Sequence, residues 1–228
     1  MTTDTPLFTS ERLKAFVDAV VAIAMTLLIL PLMESASEDA TEQRENPGFD
    51  TLQFLEEHKA QIWALTLSFA LIALAWTTHH RIYAAVEKLT TKLIWLNVLW
   101  MFMIICLPVT TALVGSMHTD PLQTIIYIGN LILLQLSSMF QRLYLLRHPE
   151  LVTAPRSTVI HGIIADVVAT GLFAIALAIS LLAPVVSYTA LFLLILTGPL
   201  TRLFNRDHDG DNGNAPSDRA DRGNDPDA

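Results

Sequence analysis

Long apolar runs separated by short polar links make up most of this sequence. The first run covers residues 12–33, and from Ala15 onward only Asp18 and Thr26 interrupt it. About 20 consecutive apolar residues are the length that a helix needs to cross a lipid bilayer. Because the later runs have the same character, the pattern predicts an all-α membrane protein.

Six such runs predict six transmembrane helices per subunit, which together form one domain over residues 1–204. Residues 34–57 separate the first two runs and carry a strong turn signal, Asn46-Pro47-Gly48. After the first helix, the predicted spans are approximately 60–78, 93–114, 122–143, 159–182 and a shorter sixth that ends near Leu203.

The placement of lysine and arginine predicts the orientation of these helices, because cytoplasmic loops carry more of both. With the N-terminus inside, only Arg44 and Lys59 lie outside, which divides the basic residues 12 to 2. Both termini are therefore predicted to be cytoplasmic. The basic residues on the inside are Arg12, Lys14, Arg81, Lys88, Lys92, Arg142, Arg147, Arg156, Arg202, Arg206, Arg219 and Arg222.

A cleaved signal peptide is the competing interpretation of the first run. Arg12 and Lys14 precede it, and Ser35-Ala36-Ser37 resembles a cleavage site. However, the run is longer than the usual signal core of about 7–15 residues, and it contains Asp18. Because its removal would also leave an odd number of helices, we favour a transmembrane helix.

The composition agrees with a membrane protein and confines most acidic charge to two polar segments. The chain is 52% hydrophobic and 16% charged, with a formal net charge of −8. Residues 34–57 and the tail hold most of the acids, so this charge says little about the membrane part. Residues 205–228 are rich in Asp, Gly, Asn and Pro, and we predict a disordered, acidic cytoplasmic tail.

The first helix has two distinct faces. At about 100° per residue, Leu27 and Leu30 fall on the same face as Ile23, with Thr26 at its edge. Asp18 falls roughly opposite, where we expect neighbouring helices to bury it, because a carboxylate that faces lipid is costly. Several copies of the aliphatic stripe around an axis would line a narrow apolar pore. The stripe is equally typical of a helix face that meets lipid or another helix.

No residue pattern indicates catalysis or a resident cofactor. His79 and His80 are adjacent, so on a helix they point about 100° apart and would not ligate one metal ion as an i, i+4 pair would. The sequence shows no nucleophile motif and no glycine-rich phosphate loop. We therefore expect no enzyme activity, no cofactor, no metal site and no nucleic-acid partner.

A second acid, Asp166, lies inside the fifth predicted span, close to His161. A proton relay through these two residues is one interpretation. A buried pair between Asp166 and Arg142 or Arg156 is the interpretation we favour, because intramembrane acids usually pair with a basic group.

Three separated motifs resemble those of the transmembrane protein 175 family, whose members are potassium-permeable channels of lysosomes and bacteria. They are RLKAFVD of residues 12–18 with AIAMTL of residues 22–27, WTTHHR of residues 76–81, and LIWLN of residues 93–97, which leads to Leu107-Pro108. The resemblance covers most of residues 10–115. One departure is Val17, which replaces the serine usual between the family's phenylalanine and aspartate.

The resemblance implies a potassium-preferring leak-type cation channel whose first helix lines a central pore. Its constriction would be hydrophobic and aliphatic with a nearby hydroxyl, and its members by motif position are Ile23, Thr26, Leu27 and Leu30. The resemblance also implies a structural polar network near the cytoplasmic side, made of Arg12, Phe16, Asp18, Trp76, His79, His80 and Asn97. The sequence leaves open which of the two histidines takes part.

By the same resemblance, one six-helix unit implies a homotetramer in a bacterial plasma membrane, with potassium ions and the lipid bilayer as its partners. Three alternatives stay open. The first is a channel that mainly conducts protons. The second is a non-conducting membrane protein that holds a metal or haem on His79 or His80, and the third is a membrane scaffold that recruits partners through its acidic tail.

Overall fold

The computed structural model of this chain describes residues 10–45, 50–116 and 120–182. The predicted sixth span and the predicted disordered tail lie outside these residues. Within them, the chain is helical apart from short links and an isolated β-bridge. The helices are α1 (Ser10–Leu27), α2 (Leu30–Glu45), α3 (Thr51–Glu57), α4 (Lys59–Ala84), α5 (Thr91–Ser116), α6 (Pro121–Arg147) and α7 (Arg156–Leu182), with a 3-10 turn at Pro149–Leu151.

Five helical stretches in the described part of the chain are long and apolar enough to cross a membrane. They correspond to the first five predicted spans and mostly extend a few residues beyond them. Polar residues continue these helices past the apolar run; α4, for example, includes His79-His80-Arg81 and ends at Ala84. The five stretches are Ser10–Ala40, Lys59–Ala84, Thr91–Ser116, Pro121–Arg147 and Arg156–Leu182.

A break in the helical backbone separates α1 from α2 at Leu28 and Ile29. Pro31 explains the break, because it has no N–H to donate to the carbonyl of Leu27 and its ring crowds that carbonyl. Helical hydrogen bonding resumes where the Met33 N–H donates to the carbonyl of Ile29 over 3.0 Å. The predicted first helix is therefore two helical segments with a junction between them.

The acidic segment after this break is more helical than its sequence predicted. Only a turn was predicted in residues 34–57, whereas α2 continues to Glu45 and α3 covers Thr51–Glu57. Good helix formers, chiefly Glu and Ala, make up much of α2. Asp50 caps α3 by accepting a hydrogen bond from the Gln53 N–H at 2.9 Å. The predicted turn Asn46-Pro47-Gly48 lies outside the described residues.

The helices pack mainly in sequence order, α4 on α5, α5 on α6 and α6 on α7, and α1 lies against α4 and α5. The core between them is apolar, and Ile72, Trp100, Ile104, Leu107 and Ile128 are completely buried in it. Large apolar side chains also remain exposed on the outer faces of the long helices, as a lipid environment allows. This packing leaves α1 at one side of the bundle.

Two links on the predicted cytoplasmic side pair with each other. Val86, after α4, forms an antiparallel bridge with Val152, before α7, and backbone hydrogen bonds of 3.0 and 2.9 Å flank the bridge. We call residues 85–90 and 148–155 the linker clasp. Ser10 donates its hydroxyl to the carbonyl of Val86 at 3.1 Å, so the clasp also holds the beginning of α1.

Candidate functional site

α1 buries one face within the subunit and leaves the opposite face exposed. Its buried residues recur every three or four positions, which places them on one side of the helix. They are Leu13, Val17, Val21 and Ala24, and Leu28 continues the series in the break. Because these side chains pack on α4 and α5, the orientation of α1 about its own axis is defined.

The four predicted constriction residues lie away from this buried face. Ile23, Leu27 and Leu30 keep 59%, 40% and 44% of their surface exposed. Thr26 is also exposed, and its hydroxyl donates to the Ile23 carbonyl at 2.8 Å. Because that hydroxyl uses its proton in this bond, its oxygen presents lone pairs, not a donor, to the surroundings. This exposed face, which Leu30 continues beyond the end of α1, thus combines aliphatic side chains with the acceptor oxygen of Thr26.

Phe16 lies on the same side of α1 as this aliphatic stripe. Seven residues, about two helical turns, separate it from Ile23, and 54% of its surface is exposed. Phe16 and Asp18 project about 200° apart around the helix, so they do not point to a common neighbour. Its membership of the polar network stays a prediction.

Asp18 is exposed in the single chain. The other helices of its own subunit therefore do not bury it, contrary to the expectation. Val17 lies at the centre of the buried face, and Asp18, the next residue, projects about 100° away from it around the helix. From there its carboxylate accepts a hydrogen bond of 2.8 Å from the indole N–H of Trp76 on α4. Arg12, six residues earlier on α1, is also exposed.

His79, and not His80, pairs with Asn97. The His79 Nε2 and Asn97 Oδ1 atoms are 2.7 Å apart, and both side chains are buried between α4 and α5. The His79 ring also stacks on Trp100 and Tyr83, with ring centroids 4.1 and 4.4 Å away. His80 is exposed, and its ring is tilted against Trp76 at 5.9 Å.

The two hydrogen-bonded pairs occupy neighbouring positions on α4. Trp76 and His79 are three residues apart, which places them on adjacent parts of one helix surface. Trp76 binds Asp18 on α1, whereas His79 binds Asn97 on α5. Together the pairs connect α1, α4 and α5 by polar contacts where the sequence predicted a network.

An ion pair joins α6 to α7 within the apolar part of the subunit. The Arg142 Nε and Asp166 Oδ2 atoms are 2.9 Å apart, and Asp166 is 2% exposed. This confirms the predicted pairing of Asp166 and selects Arg142 as its partner. Gln135 donates a hydrogen bond of 2.8 Å to the other carboxylate oxygen of Asp166, which the sequence did not predict. The sequence signal for this contact was Gln135 itself, an isolated amide in an apolar run.

Gly162 makes room for this ion pair on α7. A methyl group built on Gly162 would overlap the guanidinium group of Arg142, and its distance to the Arg142 Cζ would be 2.6 Å. A larger residue at this position would require the Arg142 guanidinium to move from the place where it crosses α7 to reach Asp166, one helical turn further on. His161 is half-buried beside this crossing.

Three buried hydroxyls form a cluster that the sequence analysis missed. Thr111 on α5 donates to Ser68 on α4 at 2.7 Å, and the hydroxyls of Ser68 and Tyr127 on α6 lie 2.9 Å apart. All three side chains are buried. The only sequence signal for this cluster was the presence of single hydroxyl residues inside apolar runs. The spacing of residues along one helix does not show which side chains meet between three helices.

The described part of the chain contains no group of three or more His, Cys, Asp or Glu side chains able to hold a metal ion. His79 already bonds Asn97 and lies against two aromatic rings. A metal or haem ligand at this position would require that arrangement to open.

These features define a class, the polytopic α-helical membrane proteins, with polar side chains bonded between helices and an exposed aliphatic face on the first. Residues 12–108 match the family described as Endosomal/lysosomal potassium channel TMEM175. This match confirms the resemblance drawn from the three motifs, all of which lie within the matched segment.

Relatives of the chain are named as potassium channels or as proton channels. A potassium channel of Chryseobacterium sp. is 29% identical over 48% of this chain and 51% of its own length. A potassium channel of Streptomyces collinus is 30% identical over 47% of this chain and 48% of its own length. An endosomal/lysosomal proton channel TMEM175 of Danio rerio is 27% identical over 62% of this chain and 26% of its own length. The chain thus spans about half the length of these relatives, or less.

The fold matches a solved structure described as the crystal structure of a lysosomal potassium-selective channel TMEM175 homolog from Chamaesiphon minutus. The TM-score is 0.68, and the match covers 84% of this chain and 97% of that chain. With 22% sequence identity, this likeness is one of fold.

Proposed function

We propose that the chain is a subunit of a potassium-preferring, leak-type cation channel in which copies of α1 surround a central pore. The observation that carries this proposal is an exposed aliphatic face, formed by Ile23 and Leu27 of α1 and Leu30 of α2, with Thr26 beside them. The family match of residues 12–108 and the names of the bacterial relatives support it.

We infer a homotetramer in a bacterial plasma membrane with both termini in the cytoplasm. The 12-to-2 division of basic residues supports this orientation. In such a ring, Ile23, Thr26 and Leu27 would belong to α1, whereas Leu30 would lie beyond the break, at the beginning of α2. The outermost constriction residue would then be carried by a segment that packs less closely on the subunit.

Aliphatic side chains would select ions through the cost of dehydration. Ile23, Leu27 and Leu30 have no oxygen to offer, so a cation would pass at least partly hydrated, and a ring of such side chains can gate by dewetting. Potassium gives up water more readily than the smaller sodium ion, which would favour its passage. The acceptor oxygen of Thr26 would replace part of the hydration shell.

The polar pairs of α4 would hold the pore helix in position. Trp76 binds α1 through Asp18, on the flank of the helix away from the aliphatic stripe. His79 fixes α4 against α5 through Asn97. In this proposal Arg12, Phe16 and His80 complete the network when the subunits assemble. The network sets the geometry of the pore and takes no part in conduction.

A channel that mainly conducts protons is the second candidate, and the names of the vertebrate relatives favour it. The two candidates need the same fold and the same exposed face of α1. They differ in whether the constriction excludes hydrated potassium.

Purified protein in planar bilayers, with potassium on one side and sodium on the other, distinguishes these candidates. A potassium-preferring channel gives a reversal potential displaced towards the potassium equilibrium potential and insensitive to a superimposed pH gradient. A proton channel gives a reversal potential that follows the pH gradient. Absence of current from a correctly assembled protein would contradict both.

A further inference from the structure

The cytoplasmic ends of α4 to α7 carry more basic than acidic charge around the linker clasp. Residues 85–92 and 147–156 contain four basic residues, Lys88, Lys92, Arg147 and Arg156, and two acidic ones, Glu87 and Glu150. All six are exposed. Pairing of the two links brings these charges onto one end of the subunit.

Glu150 neutralises part of this charge, and its electrostatic environment includes one of the four basic residues, Lys88. The pKa of Glu150 is lowered, first by a backbone hydrogen bond at its own position and then by His148, with a smaller effect from the charge of Lys88. His148 Nδ1 lies 3.0 Å from the Glu150 carboxylate. Lys92 is the second residue of α5 and lies outside the linker clasp, and it takes no part in these contacts with Glu150.

One face of α5 continues from this basic end as an uninterrupted apolar surface. Lys92 and Trp95 are three residues apart and therefore share a side of the helix. Leu99, Phe102 and Val109 follow on the same side, and Trp95, Leu99, Phe102 and Val109 are 68%, 43%, 56% and 65% exposed. Trp95 is the most exposed tryptophan among the described residues.

We propose that this face of α5 seats an anionic phospholipid of the cytoplasmic leaflet, with its headgroup on Lys88 and Lys92 and its acyl chains along Trp95, Leu99 and Phe102. Charge complementarity selects the occupant: the lysines attract an anionic headgroup, whereas an apolar face alone would accept any lipid. Tryptophan prefers the level of the headgroups, where its ring is apolar and its N–H is polar. The lysine stems lie along the apolar surface while their ammonium groups reach the headgroup.

This proposal goes beyond ion conduction, and its test measures lipid retention instead of current. The detergent-solubilised assembly is supplied with phosphatidylglycerol or with phosphatidylcholine of the same acyl chains, and native mass spectrometry counts the lipids that it retains. Each lysine near an anionic lipid contributes a roughly fivefold gain in binding. We expect wild-type protein to retain phosphatidylglycerol in preference, and in the double variant Lys88→Gln/Lys92→Gln we expect that preference to fall about twenty-fivefold.

Lys59→Gln is the matched control, because Lys59 is an exposed lysine at the opposite end of α4. It should keep the wild-type preference. Equal retention of the two lipids by wild-type protein would overturn the proposal, and so would an equal loss in Lys59→Gln and in the double variant. Retention that is unchanged in the double variant would overturn it as well.

A second measurement needs no change in charge. Brominated phosphatidylglycerol, whose bromine atoms quench tryptophan fluorescence on contact, should quench the protein more than brominated phosphatidylcholine does. Trp95→Phe should abolish this difference. Trp63→Phe, a similarly exposed tryptophan at the other end of the bundle, should keep it. If Trp95→Phe leaves the difference intact, the lipid does not lie on this face of α5.

Discussion

Trp76 on α4 donates its indole N–H to the carboxylate of Asp18 on α1 over 2.8 Å. The contact lies on one flank of α1, whereas Ile23 and Leu27 lie on the other, and the buried face lies between them. A single hydrogen bond thus ties the candidate pore helix to its neighbour without touching the candidate constriction. Loss of this bond should affect assembly before it affects ion preference.

Trp76→Phe tests whether the hydrogen bond affects assembly and not ion preference, because this change removes the indole N–H and keeps most of the ring. A hydrogen bond to a charged acceptor contributes roughly 1.5–3 kcal/mol, and the exposure of Asp18 in the single chain argues for the lower end. We expect a lower yield of assembled protein and a lower thermal midpoint in fluorescence-detected size exclusion. The potassium-to-sodium reversal potential of the remaining protein should be that of wild type.

Asp18→Asn is the control for this prediction, because its amide oxygen can still accept from Trp76. It should lose less stability than Asp18→Ala, which removes the acceptor altogether. In a double-mutant cycle, Trp76→Phe should add little to Asp18→Ala, since both remove one interaction. Fully additive losses would show that the two residues act separately.

His79 and His80 should respond very differently to the same substitution. His79→Ala removes the bond to Asn97 and two ring contacts from a buried site, and we expect a loss of about 3 kcal/mol in stability. His80→Ala alters an exposed side chain and should stay within about 0.5 kcal/mol of wild type. Thermal unfolding of the two variants side by side measures this. Similar losses in both would contradict the assignment of His79 to the network.

Gly162→Ala should weaken the link between α6 and α7 although it adds only a methyl group. The added Cβ would require the Arg142 guanidinium to move from the position in which it pairs with buried Asp166. Removing one partner of a buried pair typically costs about 3–5 kcal/mol, and this is the upper bound here because the guanidinium is the flexible end of its side chain. The loss is measured as the shift in the thermal unfolding midpoint. In an Asp166→Asn background, the same substitution should cost much less, because no buried charge is left unpaired.

Gly171→Ala is the matched change on the same helix. No atom outside the local backbone lies within 4 Å of the position where its Cβ would be. Because alanine favours a helix over glycine by roughly 1 kcal/mol, this variant should be unchanged or slightly more stable. If it lost as much stability as Gly162→Ala, the effect would come from α7 in general and not from Arg142.

Hydropathy predicted most of the helical framework, because a run long enough to cross a bilayer has few other conformations. The pairing of Asp166 with Arg142 was also predictable, since an acid in such a run needs a basic partner. The motifs predicted Ile23, Leu27 and Leu30 as pore-lining residues; all three are exposed in the single chain, and their role in a pore stays a prediction.

Contacts between helices distant in sequence were harder to predict. The choice of His79 over His80 depends on the rotation of α4 relative to α5, which periodicity along α4 does not give. The helical form of residues 34–45 was not predicted because these residues are mostly polar and show no apolar stripe at helical spacing. Asp18 was expected to be buried because it lies roughly opposite the aliphatic stripe, whereas its exposure depends on how α4 and α5 cover α1.

Ile23 is proposed to line the path of the ion, and Ile23→Asn tests this role. The asparagine side chain would make the constriction polar, so hydrated ions would cross it at a lower cost. Ile175→Asn on α7 is the matched control, because Ile175 is 51% exposed and Ile23 is 59% exposed. Leu28→Asn, in the buried series of α1, should impair folding without a comparable change in ion preference.

The decisive measurement is the reversal potential and current of Ile23→Asn and Ile175→Asn in planar bilayers with opposed potassium and sodium gradients. We predict a larger current and a reversal potential closer to zero for Ile23→Asn, and wild-type values for Ile175→Asn. If Ile23→Asn assembles normally and keeps the wild-type current and reversal potential, Ile23 does not line the pore and the proposed constriction is wrong.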